Sequence, residues 1–154
     1  MGKRLLILSA STGSGHIKAA QAIEEASRTD TRLEAVSHLD SLEYTNEVFQ
    51  TIYSKGYLEM VRNFPELWAR GFEVLDKPWE KAVFLSAFHR FNSQPLVRKI
   101  RDFNPDMIIC THPMPADVIV YLINQDKLKA NLGIVVTDYY IHALWLEEIF
   151  THYF

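Results

Sequence analysis

Apolar residues follow two rhythms along this chain, and each predicts a different element. Residues 4–10, RLLILSA, are a short unbroken apolar run closed by small residues, which predicts a buried strand. In residues 16–28, Ala19, Ala20, Ile23 and Ala26 recur at helical spacing, a narrow stripe suited to close packing on a sheet. Residues 32–37, RLEAVS, predict a second strand. Strand, glycine turn, helix and strand make a βαβ unit with a right-handed crossover. The same alternation returns later. Residues 106–111 (DMIICT) predict a strand, 115–126 a helix, 132–138 (LGIVVTD) a strand, 142–149 a short helix, and 149–154 the start of another strand. The fold expected is α/β, a Rossmann-like parallel sheet with helices on both faces.

Residues 45–104 change character. Phe49, Tyr53 and Tyr57 recur every fourth residue, as do Phe64, Trp68 and Phe72; Trp79, Val83, Phe84, Phe88 and Phe91 continue the pattern. Two or three helices are expected, broken near Pro65 and Pro78, with a further helix after Pro95 that ends near Asn104-Pro105.

The chain has 154 residues, 48% hydrophobic and 23% charged, which fits one globular domain with a real core. Its one cysteine, Cys110, lies in an apolar strand; it reads as core and fits a reducing compartment. Lys3 and Arg4 precede only a short apolar run, unlike a secretory leader, and no run of about 20 apolar residues is long enough to span a membrane. The chain stops at His152-Tyr153-Phe154, inside an apolar run without a capping turn, so a longer natural protein is expected.

Net charge is −3 but unevenly spread. Residues 47–104 carry 9 basic and 7 acidic side chains and 11 of the 19 aromatics, whereas the segments on either side are net acidic. Lys55, Arg62, Arg70, Lys81 and Arg90 stand among Phe, Tyr and Trp residues such as Trp68. Interfacial segments mix bulky apolar with basic side chains in this way. Helical core packing accounts for many of the same aromatics, and Glu59, Glu66, Glu73 and Glu80 dilute the patch. No nucleic-acid partner is expected.

Candidate chemistry starts at Ser9-Ala10-Ser11-Thr12-Gly13-Ser14-Gly15-His16, between the first strand and the first helix. Small residues let a backbone turn tightly and approach a ligand. The dinucleotide pattern G-x-G-x-x-G fails at Lys18, no Gly-Lys-Ser/Thr follows for a Walker loop, and Ser14 lies directly between Gly13 and Gly15, unlike a nucleophile elbow. In an open parallel sheet, ligands bind at the carboxyl ends of the strands. One strand ends in the glycine loop and His16. Another ends in Thr111-His112-Pro113-Met114-Pro115, and a third in Thr137-Asp138, followed by His142 and Trp145. His16, Thr111, His112, Asp138 and His142 are therefore expected on one edge. Each has a plain structural reading too: a tight connection for the loop, a turn for His112, a helix cap for Asp138. Histidines 16, 112 and 142 with Asp138 also match zinc by residue type, but the local spacing of a zinc motif is absent.

The blocks SASTGSGHIKAAQAI, THPMPADV and VVTDYYIHALWLEEIFTHYF together resemble the amino-terminal domain of the monogalactosyldiacylglycerol synthase family, which includes bacterial processive diacylglycerol glucosyltransferases. The resemblance spans essentially the whole chain. It implies the amino-terminal, acceptor-binding and membrane-facing half of a GT-B glycosyltransferase, over residues 1–154, with the carboxy-terminal donor domain lacking from the chain. It implies an inverting enzyme that moves a hexose from a UDP-sugar to diacylglycerol, at the inner face of the cell membrane, with no cofactor or metal. By this resemblance His16 is the catalytic base; His112 and His142 are its competitors, and Asp138 is a further one if its surroundings raise its pKa. Gly13, Ser14 and Gly15 form the donor-diphosphate loop. Thr111, His112, Pro113, Met114, His142 and Trp145 lie on the acceptor side, and Lys55, Arg62, Trp68, Arg70, Lys81 and Arg90 face an anionic membrane. A relative acting on a lipid-linked peptidoglycan precursor and a non-catalytic lipid-binding module are the alternatives. The helix dipole disfavours imidazolium at a helix start, so a histidine there is suited to be a neutral base.

Overall fold

The computed structural model describes residues 2–67, 69–70, 83–139, 141, 143–146 and 149–154. Five strands, β1 (Lys3–Ser9), β2 (Leu33–Asp40), β3 (Met107–Cys110), β4 (Asn131–Ile134) and β5 (His152–Tyr153), form one sheet in the order β2-β1-β3-β4-β5. All neighbouring strands run parallel. The first helix, α1 (Ser14–Ser27), joins β1 to β2. Between β2 and β3 come α2 (Glu47–Thr51), a π-helical turn (Ile52–Gly56), α3 (Tyr57–Asn63), α4 (Val83–Asn92) and α5 (Gln94–Phe103). The last long helix, α6 (Pro113–Asn124), joins β3 to β4.

The pleat of β1 sorts the core into two layers, because successive side chains point to opposite faces. Leu6 and Leu8 pack with Leu96, Val97 and Ile100 of α5 and with Val118, Ile119 and Leu122 of α6. Leu5 and Ile7 pack on Ala20 and Ile23 of α1. Helices thus cover both faces, as the alternating pattern predicts. Each fully buried Leu or Ile of this kind contributes about 1.5–3 kcal/mol. Cys110 is wholly buried, as expected of core.

The boundaries have local causes. The Asn46 side chain caps α2 by accepting from Phe49 N. The helical run breaks at Phe64 (φ −136°, ψ 54°), the residue before Pro65, where proline disfavours the α region. Asn104 ends α5 in the left-handed region (φ 49°), just before Pro105.

Three expectations need correction. The strand expected over 132–138 ends at Ile134, because its neighbours run out: β3 ends at Cys110 and β5 at Tyr153. Val135 and Val136 each donate one more backbone bond, to Cys110 and Phe154, as the chain leaves the sheet. Of the helix expected over 142–149, the described residues form one 3₁₀ turn, Ala143–Trp145. The stripe on α1 is shorter than predicted, since Ala26 is exposed. No described helix is long and apolar enough to cross a membrane.

Candidate functional site

The β1–α1 loop passes over the carboxyl edge of the sheet. Asp40, at the end of β2, props it: its Oδ1 accepts from Ser11 N at 3.2 Å and from Leu42 N at 3.1 Å. Gly13 precedes α1 in extended conformation (φ −165°), no side chain caps the helix, and no acidic residue stands in its first turn. The first-turn N–H groups, at the positive end of the helix dipole, therefore lack side-chain partners. The glycines serve a different purpose from the tight turn expected of them, for no glycine here has positive φ. A Cβ at Gly13 or Gly15 would meet nothing within 4 Å, so the space beside both is open.

His16, half-buried in the first turn of α1, crosses from this loop to the end of β3. Its Nδ1 lies 2.8 Å from the Thr111 carbonyl oxygen and 2.6 Å from Thr137 Oγ1. A carbonyl only accepts, so Nδ1 carries the proton and the neutral ring keeps its lone pair on Nε2. No described residue bonds that nitrogen. The Thr111 hydroxyl returns a bond to the His16 backbone carbonyl at 2.9 Å. These contacts bridge β1 and β3, the two strands from which the chain winds in opposite directions. That is where an open α/β sheet has its ligand crevice.

His112 takes the opposite tautomer. As the N-cap of α6 its Nδ1 accepts from Met114 N at 3.0 Å, so the proton of its neutral ring sits on Nε2. Burial, then the neighbouring His16 and His89, hold its pKa well below the ordinary histidine value. The two rings meet edge to face, centroids 4.6 Å apart. One imidazole with its lone pair on Nε2 and one with its proton on Nε2 thus stand side by side.

Trp145, wholly buried, lies 6.4 Å from the His16 ring and donates its indole N–H to Asp138 Oδ2 at 2.8 Å. Asp138 has no bond to His16 and reaches the site through Trp145. Pro113 opens α6 beside His112. Met114 is buried beneath the loop against Ala10, Leu42 and Phe49, which makes it core under the site. His142, Trp68 and Lys81 lie outside the described residues. Lys55, Arg62 and Arg70 are exposed. Arg90 instead stacks on Tyr121 of α6, 4.3 Å from its ring centre. Among the described residues no three His, Cys, Asp or Glu side chains are grouped to hold a metal ion.

The chain matches the family described as Monogalactosyldiacylglycerol (MGDG) synthase over residues 16–154. It belongs to that family. It is 28% identical over 155 residues to the processive diacylglycerol beta-glucosyltransferase of Bacillus licheniformis, covering 99% of this chain and 39% of that protein. It is 30% identical to the Bacillus pumilus protein of the same name, with the same coverage. It is 28% identical over 152 residues to a probable monogalactosyldiacylglycerol synthase 2, chloroplastic, of Oryza sativa subsp. indica, covering 95% of this chain and 32% of that one. The chain therefore spans about two fifths or less of the length of these relatives. No solved structure matches it.

Within this MGDG synthase family chain, sequence reasoning expected His16, Thr111, His112, Asp138 and His142 on one edge; the first three meet there and Asp138 joins them through Trp145, while His142 lies outside the described residues, and the reading missed Thr137 as a partner of His16. Its position directly before Asp138, at the carboxyl end of the third strand, was the available signal. It missed Tyr53, His89 and Asp117 altogether. They form a partly buried chain beside His112, and residues so far apart give no spacing signal.

Proposed function

We propose that this chain is the acceptor-side half of a UDP-sugar-dependent hexosyltransferase that makes a β-glycolipid from diacylglycerol. The observation that carries the reading is His16, with Nδ1 fixed by the Thr111 carbonyl and Thr137 and Nε2 bonded by no described residue, beside an open glycine loop at the sheet's crevice. His16 Nε2 takes the proton of the acceptor hydroxyl while the oxygen attacks the anomeric carbon from the face opposite UDP. The bond from that carbon to the diphosphate breaks with inversion. The Thr111 carbonyl supports the positive charge that the ring acquires. His112 Nε2–H holds the acceptor oxygen, and Asp138 with Trp145 walls the site. Gly13, Ser14 and Gly15 present the first-turn N–H groups of α1 to the diphosphate, an anion suited to a helix start. The donor sugar's own pocket belongs to a second, carboxy-terminal domain.

The acceptor is a membrane lipid, and the segment after β2 supplies a surface to reach it. Val48, Ile52, Met60, Phe64 and Leu67 are exposed at helical spacing, with Lys55, Arg62 and Arg70 exposed among them. Such a face lies at headgroup depth and gives peripheral attachment to an anionic inner membrane surface. The test is the full-length transferase with UDP-glucose or UDP-galactose and 1,2-dioctanoylglycerol, read by the anomeric proton coupling of the product. A β-glycoside and free UDP are expected, with no product from residues 1–154 alone. An α-glycoside, or no transfer of either sugar, overturns the reading.

A further inference from the structure

The π-helical turn between α2 and α3 carries Tyr53, and π turns gather at functional positions. The Tyr53 hydroxyl lies 2.5 Å from His89 Nε2, and His89 Nδ1 lies 3.0 Å from Asp117 Oδ2. Ser86 donates to the other oxygen, Oδ1, at 2.8 Å. The carboxylate fixes the His89 proton on Nδ1, so Nε2 accepts the tyrosine proton and the chain has one direction. His89 is only 4% exposed, and burial with the nearby Asp117 charge pushes the Tyr53 pKa up, so the phenol remains a donor. Asp117 belongs to α6, the helix that His112 caps. The network starts from the active edge, passes through α4 and the π turn, and returns to the same helix. It leaves the Tyr53 ring 6.3 Å from the ring of His112 and stacked on Phe49 at 4.8 Å.

We propose that Tyr53 is a positioning residue for the acceptor: the His89–Asp117 pair holds its hydroxyl so that its ring forms the wall beside His112 against which the glycerol and first acyl carbons of the acceptor pack. This rests on the acceptor-side reading above. The ring packs on the core cluster of Ala10, Leu42, Phe49 and Met114 that lies under the loop. Here one face of the ring is used by Phe49, its hydroxyl by His89, and the ring stands at 70° to the imidazole assigned to the acceptor oxygen.

The test uses the 154-residue chain and 1,2-dioctanoylglycerol, with the imidazole signals of His16 and His112 followed by NMR and thermal melts run in parallel. The wild type is expected to bind with shifts at His112. Tyr53→Phe keeps the ring and removes the tether; it is expected to weaken binding by about three- to tenfold, the size of one lost hydrogen bond. Tyr53→Ala, which removes the wall, is expected to weaken it further. His89→Gln, able to accept from Tyr53 through its amide oxygen, is expected to fall between wild type and Tyr53→Phe. A wild type that does not bind overturns the acceptor-side reading and this inference with it. A wild type that binds, with Tyr53→Phe equal in affinity and lowered only in melting temperature, overturns this inference alone.

Discussion

Two polar clusters in this molecule use overlapping chemistry and end differently. In the Tyr53–His89–Asp117 chain both ring nitrogens of the histidine are matched, one by a phenol and one by a carboxylate. In the cluster at the crevice, His16 Nδ1 is held by two partners and no described residue bonds Nε2. The first arrangement spends its hydrogen-bonding capacity on tying α4, α6 and the π turn together and so fixes the Tyr53 ring. The second fixes a ring and leaves one atom for a ligand. The residue type does not separate the histidine with both nitrogens matched from the proposed base; the nitrogen that no described residue bonds and the open glycine loop beside it do.

The contrast is broken most severely at His16. If the proposed function holds, His16→Ala in the full-length protein is expected to lower kcat by about 10²–10⁴-fold, the usual cost of losing a general base, with little change in melting temperature. Initial rates at saturating donor and acceptor measure it. If Asp138→Asn abolishes turnover while His16→Ala does not, the aspartate is the base. The opposite signature belongs to His89. His89→Leu removes one hydrogen bond from the Asp117 carboxylate, which Ser86 still holds, and the bond to the Tyr53 hydroxyl, so stability is expected to fall by about 1–3 kcal/mol. Thermal denaturation of this chain measures that loss, and kcat is expected to fall far less than for His16→Ala.

His112 stands between the two clusters and sharpens the comparison through pH. Its folded pKa is held well below the ordinary value, so folding disfavours its protonation. Stability from this source is complete above the unfolded pKa of about 6.5 and is lost as pH falls from there toward the folded value, by up to about 1.4 kcal/mol per pH unit. Urea midpoints on either side of that value, compared with His112→Asn, are the measurement. Asparagine keeps an acceptor at the N-cap, so its curve should be flatter in the acid range. An equal slope in both proteins removes His112 as the cause.

The smallest effect expected is on the exposed segment. Phe64→Ser and Leu67→Ser should each lower flotation with anionic vesicles by a few fold, and raised salt should lower it further by screening Lys55, Arg62 and Arg70. Retention equal to wild type in both variants takes the membrane role away from this face.

The sheet was legible in the sequence because Leu5–Leu8 and Ile108–Cys110 are unbroken apolar runs with turn residues at their ends. Proline and asparagine marked the stops at Phe64 and Asn104. The site edge was legible because three strand ends carry polar residues, and the parallel order brings such ends together. What stayed hidden depends on pairing in space. β4 stops at Ile134 because its partners stop, which no local pattern records. Met114 has the place of a site residue in the chain, yet it is buried against Phe49. Tyr53 reads as one of many aromatics at helical spacing, and its partner His89 becomes visible only once α4 lies against the π turn.

The order β2-β1-β3 places β1 between a near neighbour in sequence and a distant one. β1 reaches β2 across a single helix, but it pairs with β3 only after everything from Ser41 to Asp106 has been looped out. Loop closure costs entropy that grows with the logarithm of length, so halving this excursion would change its cost by only about 0.6 kcal/mol. The long loop is therefore cheap at equilibrium and costly in time, because long-range pairings form late. The crevice that holds His16 and the Thr111 carbonyl opens between these same two strands. The part of the molecule assigned to chemistry is thus the part expected to acquire amide-exchange protection last as the chain folds.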